Sequence, residues 1–266
     1  MAGGGGIGLI VLLVFVLLGG DPGAILSPDP MAGQLGSQAG SISGDLASEC
    51  RTGADANRRT DCRAVGLVNS VQAYWVDVFA ASDLRYVRAD TVLFSGAIDS
   101  ACGFASSASG PFYCPRDGLV YLDLTFFDDL RTRLGAQGGP LAEGYVIAHE
   151  YGHHVQALLG ELETRARTSG PEGESVRTEL QADCYAGSWV ANAADTGFLE
   201  TPTQGQVRDA LDAAAAVGDD RIQRSMTGRV NPESWTHGSS EQRQGWFMVG
   251  YDSGDSGACQ TFREDL

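Results

Sequence analysis

The chain has 266 residues, of which 34 are acidic and 18 basic, a net charge of −16 in which every basic residue other than the four histidines is arginine. That balance excludes a basic groove for nucleic acid. A hydrophobic content of 43% with 20% charged residues excludes a disordered chain and suits one large domain or two closely packed lobes around a continuous apolar core.

The first element is the apolar run 7–18, IGLIVLLVFVLL. With its uncharged flanks, segment 1–20 comes close to the ~20 residues that span a bilayer, and it reads as a single-pass membrane anchor. A cleaved signal peptide is the alternative, although no Arg or Lys precedes the run and no clear A-x-A site follows it. The stretch 21–48 is rich in Gly, Pro, Ser and Ala, and reads as a linker that separates the run from a folded domain at 49–266. Six cysteines, at 50, 62, 102, 114, 184 and 259, follow this export-type start. They read as three disulfides in an oxidising compartment. Short loops favour Cys50–Cys62 and Cys102–Cys114, which leaves Cys184–Cys259; a thiolate zinc site is the rival reading, but no C-x-x-C pair exists. The domain is therefore expected outside the cytoplasm, at the cell membrane or, with the segment cleaved, secreted.

Helical spacing of apolar residues predicts an amphipathic helix over 64–81. Residues 91–96 read as a strand, and 112–114 and 119–124 as a hairpin across the Pro/Gly turn 115–118. Residues 125–134 look helical with Thr125 as N-cap. The clearest helix covers 141–159 and is stopped by Gly160. Further helices are expected over 174–194, 204–217 and 239–250, the last capped by Ser239 or Ser240. One helix, a small sheet and then mostly helices make an α+β chain.

The chemistry sits in His149-Glu150-Tyr151-Gly152-His153. Histidines four apart on a helix share one face, so both rings can hold one ion. Glu150 adjoins the first of them, where it can take a proton from a water activated by that ion. A catalytic zinc wants three protein ligands and an open position. Glu179, on the next strong helix, is the candidate third ligand, and Asp183, four residues on, is placed to accept the outer N–H of a ligand histidine. His154 points about 100° off this face and reads as a structural hydrogen-bonder. His237 precedes a helix cap; it either enters the cleft to stabilise an oxyanion or is an ordinary loop residue. Tyr251 is the weaker candidate for the oxyanion role.

Together these residues resemble the neutral zinc metallopeptidases, a bacterial family of membrane-anchored, zincin-like proteins. The resemblance rests on His149-Glu150-Tyr151-Gly152-His153-His154-Val155-Gln156, on 179–187 (ELQADCYAG), on 237–243 (HGSSEQR), and on the shorter 110–115 and 218–221. It departs only before the apolar run, where the charged stretch usual in the family is missing. It implies one catalytic Zn2+, a peptide or protein substrate and, by likeness to the gluzincin class, an extended peptide lying against an edge strand. Here 111–114 would be that edge and 119–124 the inner strand. A purely structural hairpin pinned by Cys102–Cys114 is the other reading. A membrane-tethered scaffold or binding module with a structural or vestigial zinc is the alternative function. The oligomeric state stays open.

Overall fold

Arg59 has extended backbone and makes no side-chain cap, yet the long first helix starts beside it, four residues earlier than apolar spacing alone predicts. The computed structural model describes residues 40–41, 46–164, 167–264 and 266. The expected anchor 1–20 and most of the linker 21–48 lie outside the described residues. A two-residue strand β1 (Gly40–Ser41) and two short helices, α1 (Leu46–Glu49) and α2 (Gly53–Arg58), lead into α3 (Thr60–Ala81). Leu67, Val71, Trp75 and Phe79 recur every four residues along α3 and are all buried, which forms the stripe that seats it on the core.

Strands β2 (Thr91–Ser95), β3 (Ala97–Ser100), β4 (Gly103–Ser106), β5 (Phe112–Cys114) and β6 (Leu119–Asp123) follow. One sheet has the order β1-β2-β6-β5 and a second is the β3–β4 hairpin. The expected β5–β6 hairpin forms with Phe112 opposite Tyr121 and Cys114 opposite Leu119, and β5 is the outer strand. Strand β6 pairs parallel with β2 on its other side. That central position explains why Val120, Tyr121, Leu122 and Asp123 are buried in succession instead of alternating.

Helix α4 (Phe126–Thr132) does not have the expected cap. Thr125 already has helical backbone, and Asp123 Oδ1 accepts from both its N–H at 2.9 Å and its hydroxyl at 2.7 Å. Next come α5 (Pro140–Leu158), the short α6 (Glu161–Thr164) and α7 (Glu174–Asn192), with α5 and α7 within two residues of the expected ends. Then α8 (Gln204–Ala216), α9 (Asp219–Thr227) and α10 (Ser240–Ser253) complete the chain. Of the two candidate caps for α10 it is Ser239, whose hydroxyl accepts the Gln242 N–H at 3.1 Å while the Gln242 side chain accepts the Ser239 N–H at 3.0 Å.

Helices α7 and α10 cross at backbone contact. A Cβ added at Gly187 would lie 2.0 Å from the Phe247 carbonyl oxygen, and one at Gly250 would lie 1.9 Å from that of Cys184. Only glycine permits this approach. One buried cluster runs from Ala64 to Cys259. The three disulfides pair as spacing suggested: Cys50–Cys62, Cys102–Cys114 and Cys184–Cys259. Among the described residues no helix is long and apolar enough to cross a membrane.

Candidate metal centre

Helix α5 stacks His149 and His153 one turn apart, with ring centroids 4.8 Å apart. Helix α7 brings Glu179 against both: its Oε2 lies 3.1 Å from His149 Nε2 and its Oε1 lies 3.5 Å from His153 Nε2. One ligand atom from each of the three residues falls within 4.8 Å of the others. The three line a cleft of about 430 Å³.

The hydrogen-bond network fixes which ring nitrogens are free. His149 Nδ1 lies 2.9 Å from Asp183 Oδ1, an acceptor, so Nδ1 carries the proton. His153 Nδ1 lies 2.8 Å from Gln156 Oε1. The amide of Gln156 cannot be turned round, because its nitrogen donates to the Thr178 carbonyl at 2.7 Å and to Gln181 Oε1 at 2.9 Å. In the neutral rings both Nε2 lone pairs therefore face a carboxylate, an arrangement that asks for a cation between them. Two imidazoles and one carboxylate form the donor set of a three-ligand zinc site, and the residues fit that ion. The same demand shows in the protonation of the residues. Burial disfavours charge on His149, but Asp183 and then Glu179 outweigh it and raise its pKa to about 10. Burial also pushes the Glu179 carboxyl up, and His153 and His149 prevail to hold it well below the usual carboxylate range.

Asp183 accepts the Nδ1–H of His149, and it is fully buried. Sequence reasoning gave no sign of what balances its charge. Arg243, at the start of α10, donates through Nε to Asp183 Oδ2 at 2.9 Å and through Nη2 to Oδ1 at 3.0 Å. The Tyr145 hydroxyl donates to Oδ1 at 2.6 Å and accepts from Arg243 Nη2 at 3.1 Å. Arg243 is 3% exposed, so this is a buried bidentate pair. An arginine sixty residues away in sequence leaves no local trace of such a partnership.

Glu150 faces the cleft beside His149, and its Oε2 accepts the Tyr113 backbone N–H at 2.9 Å. Tyr113 is the middle residue of β5, so its N–H points away from β6. Burial raises the Glu150 pKa, with His149 and His153 pulling the other way. That shift moves a carboxylate towards the range in which it works as a general base. His154 is turned away from the other two histidines: its Nε2 donates to the Val87 carbonyl at 2.7 Å among the rings of Tyr86, Tyr113 and Tyr151. It has the structural role expected for it.

His237 does line the cleft. Its Nδ1 is 3.3 Å from Asp219 Oδ1, and Asp219 Oδ2 accepts the backbone N–H groups of Thr236, His237 and Gly238 at 2.8, 2.7 and 3.2 Å. Asp219 opens α9, a helix the sequence did not suggest because its only apolar residues, Ile222 and Met226, make too short a stripe. Tyr251 is absent from the cleft wall; it stacks on Phe247 near the other end of α10. The structure thus brings His149, Glu150, His153, Glu179, Asp183 and His237 together and leaves Tyr251 out.

The Asp219–His237 pair has a pH signature. Burial opposes charge on both, but Asp219 with Glu179 outweighs it at His237 and His237 outweighs it at Asp219, so His237 lies above its ordinary 6.5 and Asp219 below its ordinary 3.8. The histidine's contribution to stability is fully present below 6.5 and is lost as pH rises through its raised value. The aspartate's contribution is present above 3.8 and is lost as pH falls through its lowered value. His237→Ala should therefore destabilise the protein more near about pH 5 than near about pH 9 in urea unfolding. Equal losses at both would mean that the pair carries no charge.

Comparison with known proteins points to zinc as well. The sequence profile of the family described as "Putative neutral zinc metallopeptidase" matches residues 1–262. The chain is 52% identical over 255 residues to the uncharacterized protein Rv2575 of Mycobacterium tuberculosis, covering 93% of this chain and 84% of that one. It is 40% identical over 269 residues to the uncharacterized protein YpfJ of Escherichia coli K12, covering 99% and 88% respectively. No solved structure matches. A profile that spans almost the whole sequence, together with relatives at these identities, places the chain in the neutral zinc metallopeptidase family.

Proposed function

We propose that the chain is a zinc-dependent endopeptidase of the zincin-like, gluzincin-type layout, with His149, His153 and Glu179 holding one Zn2+ and Glu150 as general base. The observation that carries this reading is the trio of ligand atoms within 4.8 Å of one another with the Glu150 carboxyl beside them in the cleft. A zinc ion in such a site supplies Lewis acidity towards a water and a peptide carbonyl. Glu150 takes the proton of the attacking water and passes it to the leaving amine. Its raised pKa suits both halves of that transfer. His237, held through Nδ1 by Asp219 and kept as the imidazolium by that carboxylate, presents Nε2–H to the oxygen of the carbonyl under attack. Asp183 keeps His149 in the tautomer that leaves Nε2 free. A substrate peptide runs along the outer edge of β5, next to Glu150.

The scaffold alternative, where its zinc is structural and not vestigial, needs a closed, four-ligand site. Among the described residues, the His/Cys/Asp/Glu group around His149 supplies three ligands, which favours the enzyme. Three disulfides support an oxidising compartment. We place the domain on the outer side of the membrane, anchored by segment 1–20, on the strength of that segment's sequence.

The test pairs metal analysis with cleavage of a randomised peptide library. Zinc at about one per chain, cleavage that stops with a chelator and cleavage that returns on adding zinc are the expected results. Zinc without cleavage would leave the scaffold reading standing, and absence of zinc would remove both.

A further inference from the structure

Seven large hydrophobic side chains are exposed among the described residues: Leu84, Val87, Phe104, Leu159, Phe198, Met226 and Val249. Scattered exposed apolar residues are ordinary. Phe104 differs in two respects. At 63% it is the most exposed of the seven, and it is the only one of them that lines the cleft holding His149 and Glu150. Phe112 and Phe126 line the same cleft.

The position of Phe104 is built rather than incidental. It lies on β4, where its neighbour Ala105 is buried and Phe104 itself faces out. The turn before β4 is fastened to the catalytic sheet in three ways: by the Cys102–Cys114 disulfide, by the Ala101 N–H donating to Asp117 Oδ2 at 3.2 Å, and by Arg116 Nη1 donating to the Ala101 carbonyl at 3.3 Å. Cys114 directly follows Tyr113, whose N–H holds Glu150. The other two rings are fixed as well. Phe112 stacks on Tyr121 at 4.7 Å, and Phe126 packs against Gly110, where an added Cβ would be 3.1 Å from the ring.

Three phenylalanines, two braced and one waiting uncovered, therefore wall a cleft that also contains the proposed general base. We propose that this wall sets substrate choice: the cleft selects peptides carrying a bulky apolar residue, aromatic or large aliphatic, close to the cleaved bond, with Phe104 covering that side chain. The driving force is removal of both apolar surfaces from water, which is non-directional and tolerates Phe, Leu or Met alike. This inference rests on the peptidase reading for its chemistry, but its recognition step does not.

Two measurements separate the two. The first profiles cleavage of a library randomised around the scissile bond by wild type, Phe104→Ala and Phe104→Leu. Wild type should enrich Phe, Leu and Met at one position. In Phe104→Ala the ratio of kcat/KM for the Phe peptide over its Ala counterpart should fall roughly tenfold, and Phe104→Leu should keep most of it. The second measures binding of the same two peptides by calorimetry to zinc-loaded Glu150→Gln protein, with and without Phe104→Ala. A tenfold preference that Phe104→Ala removes upholds the proposal even where no peptide is cleaved, in which case the peptidase reading alone falls. Cleavage with no apolar preference, a preference untouched by Phe104→Ala, or equal or absent binding of the two peptides would each overturn it.

Discussion

Glu150→Gln is expected to lower kcat by about 10²–10⁴-fold, the usual contribution of a positioned acid–base group, with zinc content unchanged. The amide has the shape of the acid and can still accept the Tyr113 N–H that Glu150 accepts at 2.9 Å. It cannot take up a proton. The substitution should not harm the fold and could help it. Burial raises the Glu150 pKa, so the ionised side chain costs stability as pH rises through that value, and a neutral amide avoids the cost. Lost activity with an equal or higher melting temperature would be the mark of a residue kept for chemistry at the expense of stability. A variant that retained its rate would refute the assigned role, and one that lost its zinc would show that Glu150 supports the metal instead.

Arg243→Ala should have the largest effect on stability, a loss of about 3–5 kcal/mol in denaturant unfolding, because it strands a buried carboxylate. Asp183 is fully buried, and its charge is otherwise met by His149 and the Tyr145 hydroxyl. Zinc affinity should fall as well, by about 10–100-fold, since Asp183 orients the ring of His149, a proposed ligand. Arg243→Lys restores the charge without the fork that reaches both carboxylate oxygens and Tyr145, so it should recover only part of each loss. In the double variant Asp183→Ala/Arg243→Ala the stability losses should add to less than their sum. An Arg243→Ala protein as stable as wild type would mean that Asp183 is protonated in the fold.

These two expectations differ in how far the sequence anticipated them. His149, Glu150 and His153 were legible because a helix turns their spacing into geometry. Glu179 was singled out because Leu180, Ala182, Cys184, Tyr185, Ala186 and Trp189 leave little of its helix polar. Two disulfides followed from short loops and the third by elimination, and the edge position of β5 from the likeness to the gluzincin class. Arg243, Tyr145 and Asp219 were not assigned roles, because the bonds that define them join residues 60, 38 and 18 positions from their partners Asp183 and His237. Neither the β3–β4 hairpin nor the parallel β2–β6 pairing was visible. The hairpin is made of short Ala-, Gly- and Ser-containing runs without strong alternation, and parallel neighbours leave no mark in local periodicity. Thr125 does not cap its helix because its hydroxyl and its N–H both donate to Asp123, two residues earlier.

The crossing of α7 and α10 at Gly187 and Gly250 bears on how such a site could be found in other sequences. A methyl group at either position would have to move from about 2 Å to ordinary contact distance, forcing the helices apart by more than an ångström. The bonds from Arg243 to Asp183, at 2.9 and 3.0 Å, have no such slack. Two residues without side chains thus belong to the electrostatics of the centre as much as the arginine does. A search keyed to ligands and bases alone would pass over both, and would accept sequences in which every reactive group is present but the helices cannot close.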